Sequence, residues 1–120
     1  QPRSRGLGDV YKRQVIAGDY MFISGQIALN PKNGKLITDD INKETTQVME
    51  NLKAILSESS LTFDNVVKTT IFLSSMDNFS SVNEIYGSYL GKDNAPARET
   101  VEVSKLPAGV NVEISMIAIL

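Results

Sequence analysis

The strongest constraint on this chain is a change of hydrophobic period between its middle and the segments around it. From residue 41 to residue 58, apolar side chains recur at the three- and four-residue spacing that places them on one side of a helix. They are Ile41, Val48, Leu52, Ile55 and Leu56. Asp39 and Asp40 directly precede this stretch, and Asp is a favoured N-cap residue. The pattern predicts an amphipathic helix over roughly 41–58 that buries one stripe.

The segments that flank this helix are typical of strands. Residues 66–73 (VVKTTIFL) are rich in β-branched and aromatic side chains, which favours a strand. Residues 15–24 predict another strand, entered through a turn at Gly18–Asp19. The pair Asn33-Gly34 favours a tight hairpin or a loop reversal before the helix.

The C-terminal half continues the alternation of helix and strand. A second helix is predicted over roughly 79–90, followed by a strand that ends near Lys105 and a last strand over 110–119. The short turn 106–109 between these two strands predicts that they are antiparallel neighbours. The whole pattern predicts an α+β two-layer sandwich, in which two helices cover one face of a mixed sheet of about six strands.

The last predicted strand has one apolar face and one mixed face. Val110, Val112, Ile114 and Met116 alternate with Asn111, Glu113 and Ser115, after which Ile117 and Ile119 return the second face to apolar character. A half-apolar face opposite the helices, in a chain this small, suggests burial against another subunit. The sequence therefore predicts an oligomer.

The composition excludes whole classes of chemistry. The chain contains no histidine and no cysteine, so it has no imidazole base, no thiolate nucleophile and no site ligated by those residues. Catalysis must use carboxylates, hydroxyls, lysine, arginine or backbone groups. No apolar run is long enough for a membrane span and no signal peptide is recognisable, so we expect a cytoplasmic protein without a membrane partner. The net charge of −2 argues against an electrostatic nucleic-acid partner.

Residues 1–14 differ from the remainder. They contain four of the 12 basic residues and one of the 14 acidic residues, so residues 15–120 carry a net charge of −5. The segment has no helical or strand period, and its string GLGDVYKRQ resembles translated adapter sequence joined to a reading frame. We therefore expect a non-native or disordered leader over 1–14 and a single domain over 15–120. A basic arm that binds nucleic acid is the alternative.

Two residues stand out as candidates for chemistry. Arg98 is the only arginine after residue 14. A lone arginine among lysines suggests that the planar geometry of its guanidinium fork is needed, and not only its charge. Glu113 lies on the mixed face of the last strand, where partial desolvation would suit it to acid–base work. The alternatives are a surface ion-pair arginine, a solvated strand carboxylate, or a pair that they form with each other.

The segment 95–118 (APARETVEVSKLPAGVNVEISMIA) resembles the signature of the RidA/YjgF family. Three further stretches, 22–27, 47–55 and 67–73, are similar to the same family. The resemblance implies a chorismate-mutase-like protomer that assembles as a homotrimer with clefts between subunits. It also implies 2-iminobutanoate/2-iminopropanoate deaminase activity, which hydrolyses reactive enamines and imines to 2-oxo acids and ammonia. Neither a metal nor an organic cofactor is needed for that reaction.

The resemblance further implies roles for individual residues. Arg98 matches the arginine that clamps the substrate carboxylate, and Glu113 matches the acid that positions the hydrolytic water. By position, the substrate-binding residues are Ser24, Gly25, Asn83, Thr100 and Tyr11. Thr100 stands where many members carry cysteine, and Tyr11 matches a pocket tyrosine from within the suspected leader.

Two other functions stay open on the sequence. One is a non-deaminase trimer of the same family that binds ligands or acts like a chaperone in the same cleft. The other is the ribonuclease activity described for some relatives, which the absence of histidine and the net charge of −5 after residue 14 disfavour.

Overall fold

The longer helix begins and ends where the sequence predicts it. In the computed structural model, which describes residues 12–120, helix α1 spans Ile41–Glu58. The Asp40 carboxylate caps it by accepting hydrogen bonds from the backbone N–H groups of Asn42 at 2.7 Å and Lys43 at 3.2 Å. This satisfies donors that the first helical turn leaves without partners. The second helix, α2, spans Phe79–Ser88 and ends two residues before the predicted limit.

The described chain contains five strands rather than about six. They are β1 (Gln14–Ala17), β2 (Tyr20–Gln26), β3 (Val66–Leu73), β4 (Ala97–Glu102) and β5 (Val112–Ile119). The single strand predicted over 15–24 is an antiparallel hairpin, because Gly18 adopts a φ of 62° and reverses the chain between β1 and β2. The loop around Asn33-Gly34 holds only an isolated bridge between Leu29 and Leu36, which accounts for the missing strand.

The predicted pairing of the last two strands is wrong. The sheet order is β1-β2-β5-β3-β4, so β3 lies between β4 and β5. β4 runs parallel to β3 because α2 connects them as a crossover, and β5 then inserts antiparallel between β2 and β3. The connection 106–109 is a short 3-10 turn in which Ala108 and Gly109 have φ values of 57° and 70°. Its two left-handed residues turn the chain without forming a hairpin.

Both helices pack on one face of this mixed sheet, which confirms the predicted two-layer α+β class. The core between the layers is apolar and includes Met49, Leu52, Ile71, Ile114 and Met116, each at most 2% exposed. Neither helix within residues 12–120 combines the length and the apolarity that a membrane span requires.

The opposite face of the sheet, which we call the outer face, carries apolar side chains that the described chain leaves uncovered. Val15, Phe22 and Ile117 lie side by side across β1, β2 and β5. Val15 is 50% exposed and Phe22 is 44% exposed, and Val101 on β4 is 43% exposed. Side chains on successive strand residues alternate between faces, so the outer face is also the face of Glu113.

Candidate active site

Arg98 is the second residue of β4, and its side chain contacts α2. Its guanidinium lies over two aromatic rings of α2, 5.7 Å from the centroid of Phe79 and 5.5 Å from that of Tyr86. Its Nη1 atom also donates a short hydrogen bond to Oδ1 of Asn83, one turn along the same helix. These contacts fix the plane of the fork, since a cation within about 6 Å of a ring face is attracted to it. The structure thus brings together Arg98 and Asn83, two of the predicted site residues.

Tyr86 connects this cluster to the core. Its hydroxyl donates to Oγ1 of Thr69 at 3.0 Å, and Thr69 is fully buried directly opposite Arg98 in the β3–β4 ladder. Burial raises the pKa of Tyr86, although the hydrogen bond to Thr69 and the charge of Arg98 oppose the rise. Tyr86 therefore stays neutral and offers Arg98 a ring anchored by its own hydroxyl.

Thr100 lies two residues beyond Arg98 on β4, on the same face of the sheet. Its partner on β3 is Ile71, a core residue, so the Thr100 side chain points toward the helix layer. The Thr100 hydroxyl is buried and has no hydrogen-bond partner within residues 12–120. A buried polar group without a partner is rare in proteins. A ligand or a water beside Arg98 would satisfy it.

Arg98, Asn83 and Tyr86 line a cavity of about 470 Å³ that also includes Lys92 and Pro96. The cavity has the size of a small-molecule site, and Tyr86 is its one aromatic lining residue within residues 12–120. Its charged groups are basic, which suits an anionic ligand such as a carboxylate. We call this group of residues the arginine half-site.

Glu113 occupies a second cavity, of about 360 Å³, on the outer face. Gly25, Leu29 and Pro107 are among its other lining residues. Gly25 is in direct contact with the carboxylate, because a Cβ atom placed there would lie 2.1 Å from Glu113 Oε2. Desolvation by burial raises the pKa of Glu113, so its carboxylate is a better proton acceptor than a solvated one. We call this group the glutamate half-site.

Ser24 precedes Gly25 on β2, and its polar groups bond the backbone just before β1. Its backbone N–H donates to the carbonyl of Arg13 at 2.9 Å, and its hydroxyl donates to the carbonyl of Lys12 at 2.6 Å. Ser24 therefore fixes the chain beside the glutamate half-site. Tyr11, the remaining predicted substrate-binding residue, lies outside the described residues.

The structure does not bring Arg98 and Glu113 together within one chain. Arg98 is opposite Thr69, which faces the helices, whereas Glu113 is opposite Phe72, three residues further along β3. Residues three apart on a strand point to opposite faces. The expectation that the two side chains share a cleft as antiparallel neighbours is wrong for a single protomer, because β3 separates their strands and the sheet separates their side chains. An ion pair between them is excluded for the same reason.

No group of three or more carboxylates within residues 12–120 is arranged to hold a metal ion. The polar groups of both half-sites are suited to hydrogen bonding and to charge pairing with an organic ligand.

Comparison with known proteins identifies the family of this chain. The family model described as endoribonuclease L-PSP matches residues 8–120. The chain belongs to the RidA/YjgF family. It is 44% identical over 108 residues to a RutC family protein of Pyrococcus horikoshii, a match that covers 90% of this chain and 85% of that protein.

Two further RidA/YjgF relatives are informative. The human protein named 2-iminobutanoate/2-iminopropanoate deaminase is 39% identical over 109 residues, covering 91% of this chain and 79% of its own length. The crystal structure of YyfA from Yersinia pestis, described as a Rid family protein of unknown function, superposes with a TM-score of 0.91 at 43% identity. That match covers 96% of this chain and 90% of the Yersinia chain.

Sequence reasoning missed the aromatic support of the arginine half-site in this RidA/YjgF protein. Helical spacing alone predicts that Tyr86 is a core residue rather than a stacking platform, and it is both buried and in contact with Arg98. The available signal is the spacing of Phe79, Asn83 and Tyr86, which places all three on adjoining positions of one helix face.

Proposed function

We propose that this protein is a 2-iminobutanoate/2-iminopropanoate deaminase, which hydrolyses reactive 2-imino acids and their enamine tautomers to 2-oxo acids and ammonia. The observation that carries the proposal is the guanidinium of Arg98, which lies over the rings of Phe79 and Tyr86 and lines a small cavity. The deaminase named among the relatives, at 39% identity, supports the same chemistry.

Arg98 would bind the carboxylate that all 2-imino acids share. A guanidinium pairs with a carboxylate through two parallel hydrogen bonds, which fixes both the position and the plane of the substrate. Asn83 occupies one edge of the fork and leaves the other nitrogen atoms for the substrate. The Thr100 hydroxyl, which is buried without a partner within residues 12–120 and lies two residues beyond Arg98, would bond the substrate next to that carboxylate.

Glu113 would act on the water. The carbon of a protonated imine is already electrophilic, so positioning the nucleophile supplies much of the catalysis. The Glu113 carboxylate accepts a proton as the water oxygen bonds to the imine carbon, which forms a carbinolamine. The same proton then passes to the amine nitrogen, and the C–N bond breaks as Glu113 accepts the proton of the carbinolamine hydroxyl. A 2-oxo acid and ammonia leave, and the carboxylate releases its proton to ammonia or to solvent. The raised pKa of Glu113 suits both steps.

A complete site requires a second subunit. Because Arg98 and Glu113 lie on opposite faces of the sheet, the arginine half-site of one protomer must meet the glutamate half-site of its neighbour. The uncovered apolar outer face supports such an assembly. We propose a homotrimer, with three such clefts, that works in the cytosol and needs no cofactor.

The test couples a threonine dehydratase to this protein and follows 2-oxobutanoate while semicarbazide competes for the imine. Wild-type protein should accelerate hydrolysis. Arg98→Ala removes charge-assisted hydrogen bonds worth roughly 1.5–3 kcal/mol each, and should lower kcat/KM on the order of a hundredfold. Lys53→Ala, which deletes one exposed cation of α1, is the matched control and should keep the wild-type rate.

Equal rates for the wild type and Arg98→Ala would contradict the proposal. A wild type that binds 2-oxobutanoate without hydrolysing imines would indicate the ligand-binding alternative. Ribonuclease activity would instead require RNA binding that weakens steeply with salt, which we expect to be negligible.

A further inference from the structure

Glu44 is a buried carboxylate that lines neither half-site. It lies in the first turn of α1 and is 0% exposed. Its two oxygen atoms accept hydrogen bonds from a single residue, Asn111: the backbone N–H at 2.8 Å and the side-chain Nδ2 at 2.8 Å. The ion pairs found within residues 12–120, Arg13–Glu58 and Lys68–Glu99, do not involve it.

Burying a carboxylate without a cation is costly. The desolvation penalty is large before compensation, and an apolar side chain of similar volume would avoid it. The N-terminal turn of a helix offsets part of the cost because its N–H groups favour negative charge. The two hydrogen bonds from Asn111 offset more. Glu44 thus costs free energy to bury, and both of its oxygen atoms bond the same residue. This combination indicates that Glu44 serves to hold Asn111 in place.

Asn111 is held on its other side as well. Its backbone carbonyl accepts from the Ser74 N–H at 3.1 Å, and its Oδ1 atom accepts from the Ser74 hydroxyl at 3.3 Å. All four polar groups of Asn111 are thus bonded, two to α1 and two to the residue that follows β3. Val112 comes next as the first residue of β5, and Glu113 is the second.

The start of β5 needs such an anchor because its pairing there is one-sided. β3 pairs with β5 as far as Val112 and Glu113. On the other side, the last pair with β2 is Gln26 with Ile114, beyond a shift of register that contains Gly25. The backbone of Glu113 therefore has a ladder partner in β3 but none in β2. The bonds from Glu44 to Asn111 replace the missing constraint.

We propose that Glu44 is a positioning residue for Glu113, which it holds over Gly25 by fixing Asn111. The inference rests on the proposed function for its effect on catalysis, whereas its structural part stands alone. Loss of the anchor lets the start of β5 move, so the water-positioning carboxylate shifts while the arginine half-site, on the other face of the sheet, does not.

Glu44→Leu, which preserves volume and removes both acceptors, should lower kcat about tenfold or more and change KM less than about twofold. Glu44→Gln should retain most of the activity, because its amide can bond Asn111 once the Asn111 amide turns over. Val48→Ala, one turn further along the buried face of α1, is the control for lost stability: it should lower Tm and leave kcat unchanged.

A second readout is independent of turnover. In Glu44→Leu, backbone amide exchange at residues 111–114 should accelerate relative to the centre of β5, and the NMR titration of the Glu113 carboxyl should move toward that of a solvated glutamate. If the wild type hydrolyses no imine, the proposed function fails, and these measurements still decide whether Glu44 anchors Glu113.

Unchanged kcat in a folded Glu44→Leu protein, together with unchanged exchange at 111–114, would overturn the inference. The inference would also be overturned if Val48→Ala, at the same Tm as Glu44→Leu, lost as much kcat. Should Glu44→Leu not fold, Asn111→Ala is the deciding variant, since it keeps the backbone hydrogen bond and removes the amide. It should lower kcat severalfold at constant KM, and wild-type kcat in that variant would refute the proposal.

Discussion

Replacing Gly25 by alanine should disable the site without unfolding the protein. An added Cβ atom would lie 2.1 Å from Oε2, 2.7 Å from Cδ and 3.0 Å from Cγ of Glu113. The three nearest contacts are all with this one side chain. Gly25 does not need a left-handed backbone, since the positive φ glycines of the described chain are Gly18, Gly34 and Gly109. Strain from the new methyl group therefore falls on the Glu113 carboxylate.

The size of the effect follows from the distances. Ordinary van der Waals contact begins near 3.4 Å, so an oxygen atom at 2.1 Å must retreat by about 1.3 Å. A misplacement of about 1 Å in a catalytic group costs on the order of a hundredfold in rate. We expect Gly25→Ala to lower kcat on that order. Its free energy of unfolding should change by less than about 1 kcal/mol. Alanine lowers the conformational entropy of the unfolded chain, and this stabilisation offsets the cost of rotating the Glu113 side chain away.

The assay is the dehydratase-coupled hydrolysis, with a double-mutant cycle as the control. Gly25→Ala should add almost nothing to the loss in Glu113→Gln, because both variants remove the same correctly placed carboxylate. Tm should be measured in parallel. Independent, additive losses would refute the reasoning, and so would a Gly25→Ala protein with full activity.

Two further predictions concern stability. The raised pKa of Glu113 means that folding favours its neutral form, so the stability from that form is present in acid and is lost as pH rises through the folded-state pKa. Glu113→Gln should therefore be more stable than wild type near pH 7 by thermal melting, with the difference vanishing below the usual pKa of 4.5; an equal gain at both pH values would contradict this. Asp40→Ala should lower the unfolding free energy by about 1 kcal/mol in denaturant titration, because two capping hydrogen bonds are lost, while kcat stays unchanged.

Helix α1 and the faces of β5 could be predicted from sequence because each rests on local physics. The cap at Asp40 sets the start of α1, and the buried stripe of period 3.6 runs close to its end. Strict alternation over 112–118 set which side chains face the helices. The pairing of β4 could not be read from its short connection to β5. The better signal was β3-α2-β4 itself, since a strand, a helix and a strand in succession favour parallel neighbours.

The residues of the candidate site could be predicted from sequence but their arrangement could not, because the arrangement depends on non-local strand pairing. Arg98 and Glu113 could be singled out as residues, but which face each one occupies depends on the register of non-local strands. Glu44 left a signal that sequence reasoning missed. It stands three residues after Ile41 and four before Val48, on the buried stripe of α1. A charged residue at such a position requires a specific partner, and only the folded chain reveals Asn111.

Subunit complementation tests most directly whether imines are hydrolysed in a cleft shared between two protomers. Arg98→Ala and Glu113→Gln should each be nearly inactive alone. Co-expressed in equal amounts, they should form mixed trimers in which about one cleft in four has both half-sites intact, and so regain about a quarter of wild-type activity. A mixture that assembles and stays as inactive as either variant alone would contradict the shared cleft.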